Sequence, residues 1–174
     1  MEKSGILIRL KKGLYVVSPK KSGKLLSMEL IANHLYGPSY VSMESALRYY
    51  GLIPESVYIT QSMTTKHSRE FKNSLGKFEY TQCTKEYFAI GIRHEIKDNT
   101  AFLIAQPEKA LCDLIVNTPN LNMRFQKEIL TYLEDNLRFD MDAFFKMDTN
   151  IFQQCALVGK KKSTITNIIK IIKK

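Results

Sequence analysis

The chain has 174 residues, 44% of them hydrophobic and 25% charged, with 9 Tyr, 9 Phe and no Trp, which fits one globular core and excludes collagen-like repeats and disorder. Its longest unbroken apolar stretch, Ala101-Phe-Leu-Ile-Ala105, is about five residues against the roughly 20 that cross a bilayer. The formal charge of +9 sits at the two ends: residues 1–24 carry seven basic side chains against Glu2 (+6), residues 159–174 carry six lysines and no acid (+6), and the stretch between is left at −3.

From Gly5 the chain reads Ile6-Leu-Ile-Arg-Leu-Lys-Lys-Gly-Leu-Tyr-Val-Val17, two β-rich runs around Lys11-Lys12-Gly13, which predicts a β-hairpin with a cationic tip. Ser18 to Lys24 carries turn residues and no hydrophobic period, and reads as a linker with a boundary near residue 25. Ser27 is placed to cap a helix bearing Leu30, Ile31 and Leu35 that ends at Gly37-Pro38, and Ser42 to cap a second over Met43 to Tyr50, stopped by Gly51. Short strands are expected at Val57 to Thr60, around Phe71, and at Lys77 to Gln82, Tyr87 to Arg93 and Ala101 to Ala105. Pro107 then opens a helix with Ala110, Leu111, Leu114 and Ile115 as its apolar stripe. Three further helical patterns carry Phe125, Ile129, Leu133 and Leu137, then Phe144 and Phe145 after Asp140, then Ile151, Phe152 and Cys155 after Asp148. Residues 164–174 place Ile165, Ile168, Ile169 and Ile172 on one face of a basic amphipathic helix expected to dock on the core. The expected fold class is mixed α/β (α+β): a small antiparallel sheet flanked by helices, an N-terminal winged-helix-like β-hairpin and a helical C-terminal third. Its parts are the hairpin and linker (1–24), the main domain (25–158) and a basic helix or tail (159–174).

Catalytic constellations are sparse. His34, His67 and His94 lack metal-ligand spacing, and no phosphate-binding glycine loop occurs. Cys83, Cys112 and Cys155 are odd in number and contain no C-x-x-C, so neither a disulfide framework nor a zinc site is expected and a reduced compartment fits. With no apolar segment of signal-peptide length at the N-terminus, a cytoplasmic protein without a membrane partner is expected. Cys112 reads as a small core residue. Asp140-Met-Asp142 at a helix start, with Glu108, is the one acidic set that a Mg²⁺-dependent nucleic-acid-processing or phosphoryl-transfer enzyme would use; helix capping explains Asp140 equally well. The strongest local pointer is the hairpin, where Arg9, Lys11, Lys12 and Tyr15 form a candidate phosphate-gripping surface, with Lys160, Lys161 and Lys162 as a second basic segment. No cofactor and no metal are expected.

Residues 31–55, Ile-Ala-Asn-His-Leu-Tyr-Gly-Pro-Ser-Tyr-Val-Ser-Met-Glu-Ser-Ala-Leu-Arg-Tyr-Tyr-Gly-Leu-Ile-Pro-Glu, resemble the signature of the AbiEi family of abortive-infection antitoxins. Met63-Thr-Thr-Lys66 with Phe71, Gly76-Lys-Phe-Glu-Tyr80, Phe88-Ala-Ile-Gly-Ile92 and Ile104-Ala-Gln-Pro-Glu-Lys-Ala-Leu-Cys-Asp113 resemble the family's later blocks in order. The resemblance implies a non-enzymatic antitoxin and transcriptional regulator of a toxin–antitoxin, phage-defence system, countering a nucleotidyltransferase-like toxin directly or indirectly. It implies DNA as a second partner, with residues 5–15 as the wing of a winged helix-turn-helix. Family members carry tens of residues of helix-turn-helix before that wing, whereas here only Met1-Glu-Lys-Ser4 precede it. DNA contact through the wing and basic tail is therefore expected to be salt-sensitive and weakly selective.

Overall fold

A computed structural model describes residues 6–54 and 58–174. Strands β1 (Leu7–Lys11) and β2 (Leu14–Val17) form the expected hairpin, turned at Gly13 with φ +80°. The segment read as a linker contains a one-turn helix, α1 (Pro19–Ser22), because Pro19 supplies helical φ at its first position and Gly23 closes it in the left-handed region. Helix α2 (Met28–Leu35) starts where Ser27 Oγ accepts the Leu30 N–H. A short buried strand, β3 (Ser39–Val41), leads into α3 (Met43–Tyr49).

Strands β4 (Ile59–Thr64), β5 (Arg69–Asn73), β6 (Gly76–Gln82), β7 (Ile92–Lys97) and β8 (Thr100–Ala105) join β3 in a six-stranded sheet of order β5-β6-β4-β3-β8-β7. The protein is a mixed α/β fold, but its main sheet is mixed where an antiparallel one was expected. Residues 65–68 carry the chain from β4 to the edge as β5, and β6 returns between them, so it runs parallel to β4. β3 likewise runs parallel to β8.

The strand expected at Tyr87 to Arg93 begins instead as a helical turn, α4 (Lys85–Phe88), capped by Thr84 Oγ1 on the Tyr87 N–H; the strand follows only after Gly91. Phe88 and Ile92, two turns of an apparent period-two pattern, thus belong to different elements. Of the strand expected at Val57 to Thr60, Val57 lies outside the described residues, Tyr58 precedes the strand, and Ile59 and Thr60 open β4.

Helix α5 (Pro107–Asn117) packs on α3 and on α8 (Thr149–Val158). Between them come α6 (Gln126–Thr131), which runs into a π-helical turn over 132–136, and the single turn α7 (Met141–Phe144). Phe125 is 68% exposed at the N-cap of α6 rather than on its buried stripe, which Ile129, Leu133 and Leu137 supply. Helix α9 (Lys162–Ile172) lies against α8 and α6 with Ile165 and Ile168 of the expected stripe buried; Ile171 is buried as well, while Ile169 and Ile172 are half-buried at its margin. Each of the buried isoleucines contributes up to roughly 1.5–3 kcal/mol of apolar burial. Among the described residues no helix is long and apolar enough to cross a membrane.

Candidate functional site

Helix α5 is apolar on most of its circumference, yet two charged residues one turn apart, Lys109 and Asp113, are fully buried within it. Lys109 Nζ lies 3.0 Å from Asp113 Oδ1, donates to the Tyr87 carbonyl at 3.1 Å and sits 3.1 Å from the centroid of the Tyr87 ring. The second carboxylate oxygen, Oδ2, accepts from Ser42 Oγ at 2.6 Å and from Tyr40 Oη at 3.1 Å. The pair is thereby matched in charge and hydrogen-bonded on both sides, the condition under which buried ions are tolerated.

Tyr40 in β3 and Ser42 just after it lie two residues apart, and both hydroxyls reach Asp113 on α5. Ser42 occupies the N-cap position of α3 without capping it; Gln61 Oε1 from β4 takes over and accepts the Glu44 N–H at 3.1 Å. Met63 pairs across the sheet with Tyr40, and its sulfur receives the Asn117 amide at 3.7 Å. Gly91 packs against the Lys109 stem so closely that a Cβ there would lie 2.8 Å from Lys109 Cβ. Burial, with the Asp113 carboxylate nearby, pushes the Tyr40 and Tyr87 phenols far above their usual range. Burial also raises the Cys112 thiol, consistent with an inert core residue. The network is sealed: Lys109 and Asp113 have 0% exposure, so no solute reaches them directly. A small pocket of about 110 Å³ beside it is reached past Cys83, Tyr87, Asn117 and Lys160.

Sequence reasoning missed this network. The available signal was a Lys and an Asp at i, i+4 inside an otherwise apolar helical stripe, a spacing that pairs charges on one face.

The candidate DNA-contact residues separate into two groups. Arg9 and Tyr15 are cross-strand partners on the exposed face of the hairpin, with Lys12 exposed at its turn. Lys11 follows a register shift in β1, and its ammonium donates to the Leu35 carbonyl. At the other end, Lys160 and Lys162 are exposed, while Lys161 Nζ donates to the Ile115 and Thr118 carbonyls at 2.8 and 2.9 Å. Lys161 thus caps the C-terminal end of α5, and its desolvation there lowers its pKa. The hairpin itself is docked on the main core through buried Leu10, whose carbonyl accepts from Asn73 Nδ2 of β5 at 3.2 Å.

Of the acidic set, Asp140 and Glu108 are engaged at helix starts, and Asp142 lies exposed in the first turn of α7. Asp140 Oδ1 caps α7 through the Ala143 N–H at 3.0 Å, and Glu108 Oε1 accepts the Asp148 N–H at 3.0 Å. Among the described residues, no three His, Cys, Asp or Glu side chains converge as a metal site would need. A larger open groove of about 560 Å³ lies between α2, α3 and the start of β4, with Glu29, Arg48, Tyr49, Tyr58 and Lys97 on its walls. No family model matches the chain, and no curated protein matches it.

Proposed function

We propose that the chain is an antitoxin: an interaction protein that acts in the cytoplasm, counters a nucleotidyltransferase-like toxin, and contacts the DNA of its own operon through basic surface residues. The observation that supports this reading is where the separate blocks of the family resemblance lie in space. Tyr40 and Ser42 come from the first block, Met63 from the second, Gly91 from the fourth and Lys109 and Asp113 from the last, and they meet around α5. Residues meeting in a sealed, ion-paired core shape a surface and do not process a substrate, because chemistry needs an accessible reacting group. The Mg²⁺-enzyme alternative loses its geometric motivation, since Glu108 and Asp140 each serve a backbone N–H at a helix start.

The DNA component rests on exposed Arg9, Lys12, Lys160 and Lys162 and on the hairpin's rigid attachment to the core. Co-expression with the nucleotidyltransferase-like toxin expected to be encoded beside it tests the whole reading. Colony formation should be restored by the chain; continued toxicity with both proteins present and the toxin active would refute it.

A further inference from the structure

At the β5 edge of the main sheet, two neighbouring rings are covered by cations from three different segments. Tyr36, just after α2, and Phe71 of β5 have ring centroids 5.6 Å apart, and both rest on Tyr80, whose hydroxyl is anchored to the Ala32 carbonyl at 2.7 Å. The Arg69 guanidinium lies 4.9 Å from the Phe71 centroid and 5.8 Å from that of Tyr36. Lys66 Nζ is 5.3 Å from the Tyr36 ring, and Lys11 Nζ is 5.9 Å from that of Phe71. The turn carrying Lys66 is fixed by its own N–H on Thr64 Oγ1 at 3.2 Å and by Tyr36 Oη donating to the His67 carbonyl at 3.3 Å.

None of these three cations forms an ion pair with a carboxylate among the described residues. The acid next to Arg69 in sequence, Glu70, is held by Lys77 at 2.9 Å. Lys66, His67 and Arg69 are exposed, as is Lys12 at the hairpin turn. A guanidinium held over aromatic rings is restrained by them while its N–H donors remain available, which suits it to phosphate. Cation–π contact thus pre-orders a cluster of like charges, a surface that favours an anionic partner.

We propose that Lys66 and Arg69 of this cluster, backed by Lys11 on the Leu35 carbonyl, are the principal contact of the protein with the phosphate backbone of duplex DNA. The inference rests on the DNA component of the reading above and relocates it from the outer face of the hairpin to the β5 edge. Duplex fits better than a single strand, because single-strand binders offer bare rings for base stacking, and here the ring faces are occupied by cations. The contact is with phosphate alone and is therefore sequence-independent and salt-sensitive.

Fluorescence anisotropy of the full chain with a short labelled duplex, titrated between about 50 and 200 mM salt, tests it. Lys66→Ala with Arg69→Ala should flatten the slope of log K against log salt by about two and weaken low-salt binding at least roughly tenfold. Arg69→Lys should keep the slope and lose only part of the affinity, since it keeps the charge but not the planar stacking. Matching thermal melts for all variants secure their fold. Wild-type behaviour of the Lys66→Ala, Arg69→Ala double variant overturns the proposal. So does a full loss of slope in Arg9→Ala with Lys12→Ala, which would leave DNA contact standing but on the hairpin face, and so does tighter binding of a single strand. No duplex binding by the wild type removes the proposal and the DNA component together, leaving the antitoxin reading to the rescue assay.

Discussion

Asp113 gathers two hydroxyl donors and one ammonium out of contact with water, and among the described residues Lys109 has no other ion-pair partner. Removing one ion leaves the other unpaired in a low-dielectric interior, while removing both leaves only a packing problem. Asp113→Asn should therefore destabilise the protein by about 3–5 kcal/mol. The double replacement Lys109→Met with Asp113→Leu should cost less than the sum of the two single changes, a coupling readable from urea midpoints in a double-mutant cycle. Purely additive costs would mean that the two side chains do not act as a pair.

Titration at the residue scale also sets the alkaline limit of the fold. Burial pushes the Cys83 thiol up to about 11 and the Tyr50 phenol up to about 12, and raises Tyr40, Tyr80 and Tyr87 further. Each of these groups keeps its proton in the folded state at a pH where the unfolded chain has lost it, so raising the pH favours unfolding. Their contribution is constant below about pH 8.5, the ordinary thiol value, and falls as pH rises through the window from about 9 to 12. Lys161 acts in the opposite sense: its lowered pKa makes deprotonation relieve a desolvation cost, so its contribution to stability grows as pH rises toward the free-lysine value. One partly buried lysine is outweighed by four phenols and a thiol. Denaturation midpoints measured from pH 7 to 11 should stay level to about pH 8.5 and then decline, with Cys83→Ser delaying the onset.

At the scale of elements, the junction between α4 and β7 depends on a residue without a side chain. Gly91 takes φ +59°, and a Cβ there would sit 2.8 Å from Lys109 Cβ and 3.1 Å from Ile151 Cγ2. Gly91→Ala combines left-handed strain with overpacking of α5 and α8, and should lower stability by about 2–4 kcal/mol in urea unfolding. The same junction marks the limit of what the sequence makes legible. A period of two in Phe88, Ile90 and Ile92 reads as one strand, but the Thr84 cap and the Gly91 turn divide it into a helical turn and a strand, since local hydrogen bonding competes with hydrophobic alternation.

Helix α9 was readable because its isoleucines repeat at 3.6 residues and nothing interrupts them. β3 was not, because three fully buried residues have no period to show. The parallel pairing of β4 with β6 is invisible locally, since it follows from where β5 lies in space. Ser42 was placed correctly at the start of α3, yet its hydroxyl serves Asp113, and only the tertiary contact with α5 assigns that role. In the same way Lys11 and Lys161 count as basic surface in the sequence, whereas in the fold both hold carbonyl groups at helix C-termini.

The whole molecule is a scaffold locked from within and charged at its surface. The ion-paired core joins β3, α4 and α5, the hairpin is tied to β5, and α9 closes over α8 and α6. In the proposed antitoxin this arrangement presents a fixed surface to a partner, and the toxin is countered, directly or indirectly, by occupancy rather than by turnover. The dose relation of rescue tests that claim most directly: surviving colonies are counted while the ratio of the chain to the nucleotidyltransferase-like toxin is varied with two independent inducers, both proteins being quantified. Survival should rise in step with the ratio, saturate once the chain is comparable to or in excess of the toxin, and be lost again when the toxin is raised above it. Full rescue by trace amounts of the chain would point to a catalytic antitoxin, and no rescue at any ratio would contradict the antitoxin reading itself.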